Sequence, residues 1–279
     1  MTNSADLLAE KLSRVEFGIY PDISNERYHK GAGISKSDLD RIHRSPAHFL
    51  ASLKAPEETN EAFIVGTAFH TAVLEPERFA KEYTALPYFN RRTKVGKEDL
   101  EAWQKEHEGM IVLPDETMDM VRYMRDSVLR NPIARRLVEL TQHELSVYAE
   151  IDGITCKCRP DGWSQSESIM FDLKSARDAS PDAFARSVAN CRYHVQEAWY
   201  KTVTNALGEK VDAYYFVVCE KEPPYAVALY QLDPLSVEVG HHTAMADFET
   251  FRRAVETMKF EGYPKTIQTL SLPRWAITE

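Results

Sequence analysis

Residues 144–176 read ELSVYAEIDGITCKCRPDGWSQSESIMFDLKSA, and the fold class turns on how that stretch is read. Three runs in it have the composition and alternation of strands: 144–151, 154–159 and 169–174. Asp152-Gly153 lies between the first two, a two-residue hairpin signal. Arg159-Pro160-Asp161-Gly162 ends the second run, since proline has no N–H to give a central ladder. In the third run the two-residue period of a strand puts Asp172 and Lys174 on one face and Phe171 and Leu173 on the other. The second run is expected to neighbour the third, so Asp161, Asp172 and Lys174 would meet at one strand end. Neighbouring carboxylates repel, and a cation between them relieves the repulsion. Hard oxygen donors of this kind suit Mg²⁺ or Mn²⁺. The plain alternative is an ion pair between Asp172 and Lys174 on a strand surface.

The bulk numbers bound the possibilities. A chain of 279 residues fits one large domain or two small ones. We expect one α/β (α+β) unit over 1–279, mainly helical over 1–140 and built on a mixed sheet over 141–279. No apolar run is long enough to cross a bilayer, and the N-terminus lacks a signal peptide, so a cytoplasmic protein with no membrane partner is expected. Cys156, Cys158, Cys191 and Cys219 follow no disulfide, zinc or iron–sulfur spacing and read as packed, reduced thiols. The net charge of −9 argues against tight non-specific coating of nucleic acid. It leaves room for a confined groove with local positive charge.

Along the chain, 1–14 reads as frayed or weakly helical and 17–20 as a short strand. Ser35 is placed to cap a helix, with Asp38 three residues on completing a capping box. Residues 61–75 read as a helix with Phe63, Ile64, Ala68 and Phe69 inward, Gly66 allowing close approach, and Pro76 as its stop. His70 lies in that apolar helix, where a packing role is the plain expectation. Residues 84–97 read as irregular and hold Tyr88 and Phe89 beside Arg91, Arg92, Lys94 and Lys97. Such a cluster can grip phosphates and stack on bases, or can be a solvated loop. Helices are expected at 97–107 and 115–130, then one long helix over 181–207 ended by Gly208. Gln196 and Tyr200 share a face of that helix, four residues apart. Two strands, 213–219 and 225–232, joined by a Pro-Pro turn, and a helix over 234–259 complete the reading.

Taken together these pieces resemble the RecE-type exodeoxyribonucleases of bacteria and their prophages, members of the PD-(D/E)XK nuclease superfamily. The resemblance runs from Gly18 to Trp275. It rests on residues 22–29 (DISNERYH), 33–37 (GISKS), 66–70 (GTAFH) with 74–77 (LEPE), 89–93 (FNRRT), 158–161 (CRPD), 172–174 (DLK), 193–196 (YHVQ) with Tyr200, and 270–275 (LSLPRW). It starts close to the N-terminus, so a long N-terminal extension found in some relatives is expected to be absent.

The resemblance implies a restriction-endonuclease-like core and a Mg²⁺-dependent exodeoxyribonuclease, with Mn²⁺ as substitute. By it, His70, Asp161, Asp172 and the carbonyl of Leu173 would hold metal. Lys174 would be the catalytic lysine, Gln196 and Tyr200 would line the site, and Glu144 would be an accessory acid on the first core strand. It further implies digestion of double-stranded DNA from the 5′ end to leave 3′ single strands for recombination. A ring-shaped homo-oligomer, a tetramer by family, and a single-strand-annealing partner are also implied. A catalytically silent DNA-binding scaffold of the same fold, and a nuclease for branched or single-stranded DNA, are the rival expectations.

Overall fold

A computed structural model of the protein describes residues 4–55 and 61–272. Its elements run α1 (Ser4–Lys11), β1 (Gly18–Tyr20), α2 (Asn25–Lys30), α3 (Lys36–Arg44), α4 (Pro46–Ser52), α5 (Glu61–Leu74), α6 (Pro76–Glu82), β2 (Tyr83–Leu86), α7 (Lys94–Glu106), β3 (Ile111–Pro114), α8 (Asp115–Arg130) and α9 (Pro132–Leu140). They continue β4 (Gln142–His143), β5 (Ser146–Ile151), β6 (Ile154–Cys158), β7 (Gly162–Ser164), β8 (Ile169–Ala176), α10 (Pro181–Asn190), α11 (Tyr193–Asn205), β9 (Ala213–Glu220), β10 (Val227–Tyr230) and α12 (Pro234–Thr257). This is the mixed α+β architecture expected, with sheets flanked by helices.

The main sheet has the order β10-β9-β8-β7-β4, with β8 and β9 parallel and the other pairs antiparallel. Its central strands β7, β8 and β9 are largely buried, and β8 and β9 sort their side chains with a period of two. Met170, Tyr214, Phe216 and Val218 enter one core with Phe184, Val195, Trp199 and Phe248 from α10, α11 and α12. Phe171, Leu173, Val217 and Cys219 enter a second core with Phe69, Val73, Met124, Val128 and Leu137 from α5, α8 and α9. Full burial of one such side chain contributes ~1.5–3 kcal/mol. The main sheet is therefore the layer to which both helical groups are fixed.

A second sheet, β1-β5-β6, is built on the hairpin around Asp152-Gly153. Both turn residues have positive φ, 48° and 77°, as that two-residue turn requires. Cys156 and Cys158 face the first core, and Lys157 faces the opposite way onto Tyr28 of α2.

Several expectations need correction. The first run does not begin at residue 144: Glu144 is a left-handed residue (φ 55°) between β4 and β5. The second run ends at Cys158 and does not neighbour the third. That neighbour is the three-residue β7, too short to show a periodicity. Gly162 opens β7 because a Cβ there would lie 2.1 Å from the Phe171 ring on β8. The long helix expected over 181–207 is two helices, broken at Arg192 (φ 56°), whose guanidinium is held by Asp247 and lies 3.6 Å from Asp40.

Helix α5 turns Val65, Ala68, Phe69, Ala72 and Val73 inward, while Phe63 and Ile64 are 56% and 40% exposed. These two side chains thus lie outside the core. A Cβ on Gly66 would meet nothing within 4 Å, so no close approach explains that glycine. Pro76 opens α6 as well as following α5. Residues 87–93, with Tyr88, Phe89, Arg91 and Arg92, are irregular as expected, whereas 84–86 belong to β2 and 94–97 to α7, which begins at Lys94 rather than 97 because Thr93 caps it by accepting the Gly96 N–H. The last strand and helix are shorter than expected, 227–230 and 234–257. Helices α2 and α9 were not foreseen. Cys191 is exposed, unlike the other three cysteines. Pro273, Arg274 and Trp275 of the C-terminal motif lie outside the described residues.

Candidate active site

Two interacting carboxylates, Asp161 and Asp172, lie just beyond the point where β7 stops pairing with β8. Asp161, the residue before β7, accepts the Leu173 N–H on Oδ2 at 2.6 Å. β7 pairs with β8 only as far as Gly162↔Phe171, so the Asp161 side chain serves a ladder donor beyond the end of that pairing. Asp172 is fully buried. Its Oδ2 accepts from Lys174 Nζ at 2.6 Å and from Gln196 Nε2, while its Oδ1 is buried without a protein partner. Lys174 Nζ also donates to Gln196 Oε1 at 3.1 Å and sits 4.6 Å from the Tyr193 ring centroid. Gln196 Nε2 reaches Tyr200 Oη at 3.2 Å, one helical turn along α11. The alternation read for β8 and the four-residue spacing on α11 therefore deliver these groups to one another.

The remaining donors come from outside the sheet. His70 on α5 lies with Nδ1 3.4 Å from Asp161 Oδ1. The left-handed turn at Glu144 gives its N–H to the Asp161 carbonyl at 3.3 Å and aims its carboxylate inward. One ligand atom from each of His70, Glu144 and Asp161 lies within 4.8 Å of the others. Asp172 is not in that triplet, and the contact seen for Leu173 is through its N–H. The structure thus groups Glu144 with His70 and Asp161, closer in than an accessory residue on a strand.

The charges respond to each other. Burial works against ionised Asp161, but the His70 imidazole, Lys174 and the Leu173 N–H together outweigh it, and the pKa is lowered. Burial also opposes a charged His70, and Asp161 overrides it, raising the pKa. Asp172 is raised by burial in spite of Lys174. Lys174 is raised because Asp172 and Asp161 outweigh its burial. Glu144 is pushed up to about 7 by burial and by the Asp161 charge. Glu144 and Asp172, driven towards protonation by burial and by the Asp161 charge, with one buried Asp172 oxygen left unpaired, join Asp161 and His70 in a donor set that a hard divalent cation would satisfy.

The basic cluster is mostly exposed. Arg91 and Arg92 are exposed, Tyr88 is 91% exposed, and Phe89 leans on Trp103 of α7 at 6.1 Å between ring centroids. Lys94 begins α7, 3.7 Å from Glu98. Sequence reasoning gave no role to Tyr193 or Arg159, both in contact with site residues. Neither has a periodic signal; only their places in the YHVQ and CRPD motifs marked them.

With this geometry in hand, likeness to other proteins becomes informative. Residues 35–268 match the family described as PDDEXK-like domain of unknown function (DUF3799). The chain belongs to this family. Its fold is similar to that of a crystal structure described as "Putative exonuclease" from Eubacterium rectale, at TM-score 0.59 and 12% identity, covering 92% of this chain and 98% of that one. A phage related exonuclease from Haemophilus somnus 129PT aligns at TM-score 0.35 and 12% identity, over 81% of this chain and 96% of that one. Only the first superposes closely enough to bear on fold. No curated protein matches the sequence. The family match and the shared fold agree with the resemblance to RecE-type PD-(D/E)XK nucleases. Among the described residues, no helix is long and apolar enough to cross a membrane.

Proposed function

We propose that the protein hydrolyses DNA phosphodiesters as a metal-dependent exodeoxyribonuclease. Its substrate is double-stranded DNA, digested from the 5′ end to leave 3′ single-stranded tails for recombination. The observation that carries the reading is the meeting of His70, Glu144 and Asp161 beside the unpaired Asp172 Oδ1, with Lys174 fixed next to them. An imidazole and hard carboxylate oxygens fit Mg²⁺, with Mn²⁺ as substitute. Such an ion, when bound, supplies a more acidic water and neutralises phosphate charge.

The chain's own residues do the rest. Hydrolysis joins a water oxygen to phosphorus and breaks one ester P–O bond; one water proton ends on the departing oxygen. Negative charge builds on the phosphoryl oxygens meanwhile. Lys174, held charged by Asp172 and Asp161, offers a preorganised ammonium to that charge. Gln196 holds the Lys174–Asp172 pair from α11, and Tyr200 steadies Gln196. Arg91, Arg92 and Lys94 would contact phosphates, and Tyr88 and Phe89 unpaired bases. A homo-oligomeric ring, a tetramer by analogy, and a single-strand-annealing partner complete the proposal by family resemblance.

Digestion of end-labelled blunt duplex, nicked duplex and single strands, with Mg²⁺ and after exhaustive chelation, tests this reading. The expected result is metal-dependent loss of the 5′ label from blunt duplex. Full activity after chelation, or preference for single strands, would overturn it.

A further inference from the structure

The DISNERYH and CRPD motifs meet at one buried side chain to which the mechanism above gives no task. Arg159 is only 8% exposed, so its N–H groups must find partners within the protein. It donates from Nε and Nη2 to the fully buried Ser146 Oγ at 3.0 and 2.6 Å. It donates from Nη2 to the Ile23 carbonyl at 2.8 Å and from Nη1 to Asn25 Oδ1 at 2.6 Å. The Tyr28 ring lies against its guanidinium at 4.1 Å, and Glu144 Oε2 stands 4.0 Å from Nη1.

One guanidinium thus ties together three segments: 23–25, 144–146 and 159–161. Two of them end in donors of the candidate metal site. Glu144 is two residues before Ser146, and Asp161 two after Arg159. Glu144 also holds a left-handed backbone, which a non-glycine residue keeps only when its surroundings over-determine it. Its N–H is fixed by the Asp161 carbonyl, and the chain two residues on is fixed by Arg159. The third segment lines a cavity of about 330 Å³ that Arg159 and Glu144 also line.

We infer that Arg159 is a positioning residue for metal binding: it holds the left-handed turn at Glu144 so that this carboxylate joins His70 and Asp161 around one ion. The inference rests on the metal-site reading above. A lysine cannot replace the arginine, because a single ammonium lacks the planar fork that reaches Ser146, Asn25 and Ile23 at once.

The test is a double-mutant cycle on Mn²⁺ affinity, read by calorimetry on the full chain. Arg159→Lys should weaken Mn²⁺ binding about tenfold, the usual effect of removing a group that orients a ligand. Glu144→Gln should weaken it as much or more. Because Arg159 acts through Glu144, the double variant should bind within about twofold of Glu144→Gln alone. A general loosening of the fold would instead multiply the two losses, and that result would overturn the inference. So would Mn²⁺ binding by Arg159→Lys within about twofold of the unmodified protein. If Arg159→Lys does not fold, Ser146→Ala removes only the shared hydroxyl acceptor and runs the same cycle with the same expected coupling. No Mn²⁺ binding by the unmodified protein would overturn the metal reading itself, an outcome distinct from a failed coupling.

Discussion

Lys174 on β8 and Lys157 on β6 are two strand lysines, and both are taken largely out of water. Their surroundings make them different chemical groups. Lys157 donates to two carbonyls, those of Tyr28 and Gly31 at the end of α2. The nearby Asp38 carboxylate is already engaged by Lys11 at 2.9 Å. Burial, reinforced by the Lys11 charge, pushes the Lys157 ammonium down to about 7. Lys174 meets the same desolvation, but Asp172 at 2.6 Å and the Asp161 charge more than offset it. Burial depresses any lysine, and carboxylates decide whether it stays charged. Lys174 is therefore a permanent cation suited to stabilising charge, whereas Lys157 is a strut between the β5–β6 hairpin and α2.

The sharpest way to break this comparison is to remove the site lysine. Lys174→Ala should keep the fold and most DNA affinity while losing on the order of 10²–10³-fold in turnover. Single-turnover cleavage of an end-labelled duplex measures it, and a rate within a few-fold of the unmodified protein would leave Lys174 as a strand ion pair. Next in size, Asp161→Ala removes both a metal donor and the acceptor of the Leu173 N–H. Mn²⁺ affinity should fall by at least about tenfold by calorimetry; unchanged affinity would mean that the cluster is not where metal binds.

A milder effect is expected from the exposed cations Arg91 and Arg92. Arg91→Ala with Arg92→Ala should weaken duplex binding and lower the slope of log affinity against log salt by up to about 2. Titrations at several salt concentrations would show it, and an unchanged slope would mark the loop as ordinary surface.

The smallest effect on turnover belongs to Lys157→Met, yet it tests the comparison most directly. The folded pKa of about 7 lies below the usual lysine value, so between those two values the unfolded chain binds a proton that the folded chain does not. Stability from this group thus rises as pH rises through that window, and the full penalty is present below it. Relative to Lys157→Met, the unmodified protein should gain up to roughly 4 kcal/mol from about pH 6 to about pH 10. Denaturant unfolding at both pH values measures the difference. Parallel pH profiles would mean that Lys157 is not held largely uncharged.

Where the chain's own short-range chemistry decides structure, the sequence could be read. The Asp-Gly hairpin, the Ser35–Asp38 capping box, and the placing of Asp172 and Lys174 on one face all follow from local rules, and all are present. What escaped depends on distant partners. Nothing near Arg192 signals a helix break; Asp40 and Asp247 hold it from two other helices. Glu144 reads as a strand residue because its left-handed turn is set by Asp161 and, through Ser146, by Arg159. β7 is three residues long, so the true neighbour of β8 was hidden and β6 was given its place. Phe63 and Ile64 have the right period but lie past the end of the surface they would cover.

The parallel pairing of β8 and β9 has a further consequence, for tolerance to insertion. Antiparallel neighbours can be joined by a tight turn, but parallel ones need a crossover over a sheet face. Here the crossover is α10 and α11, and it carries Gln196 onto Lys174 and Asp172. The connection that satisfies topology is also one wall of the site. Extra residues at the exposed Pro223-Pro224 turn would lengthen only a hairpin, whereas extra residues at Cys191-Arg192 would shift the register of Gln196 over an unchanged sheet. Peptide tags or fused domains therefore belong at the first position and not at the second.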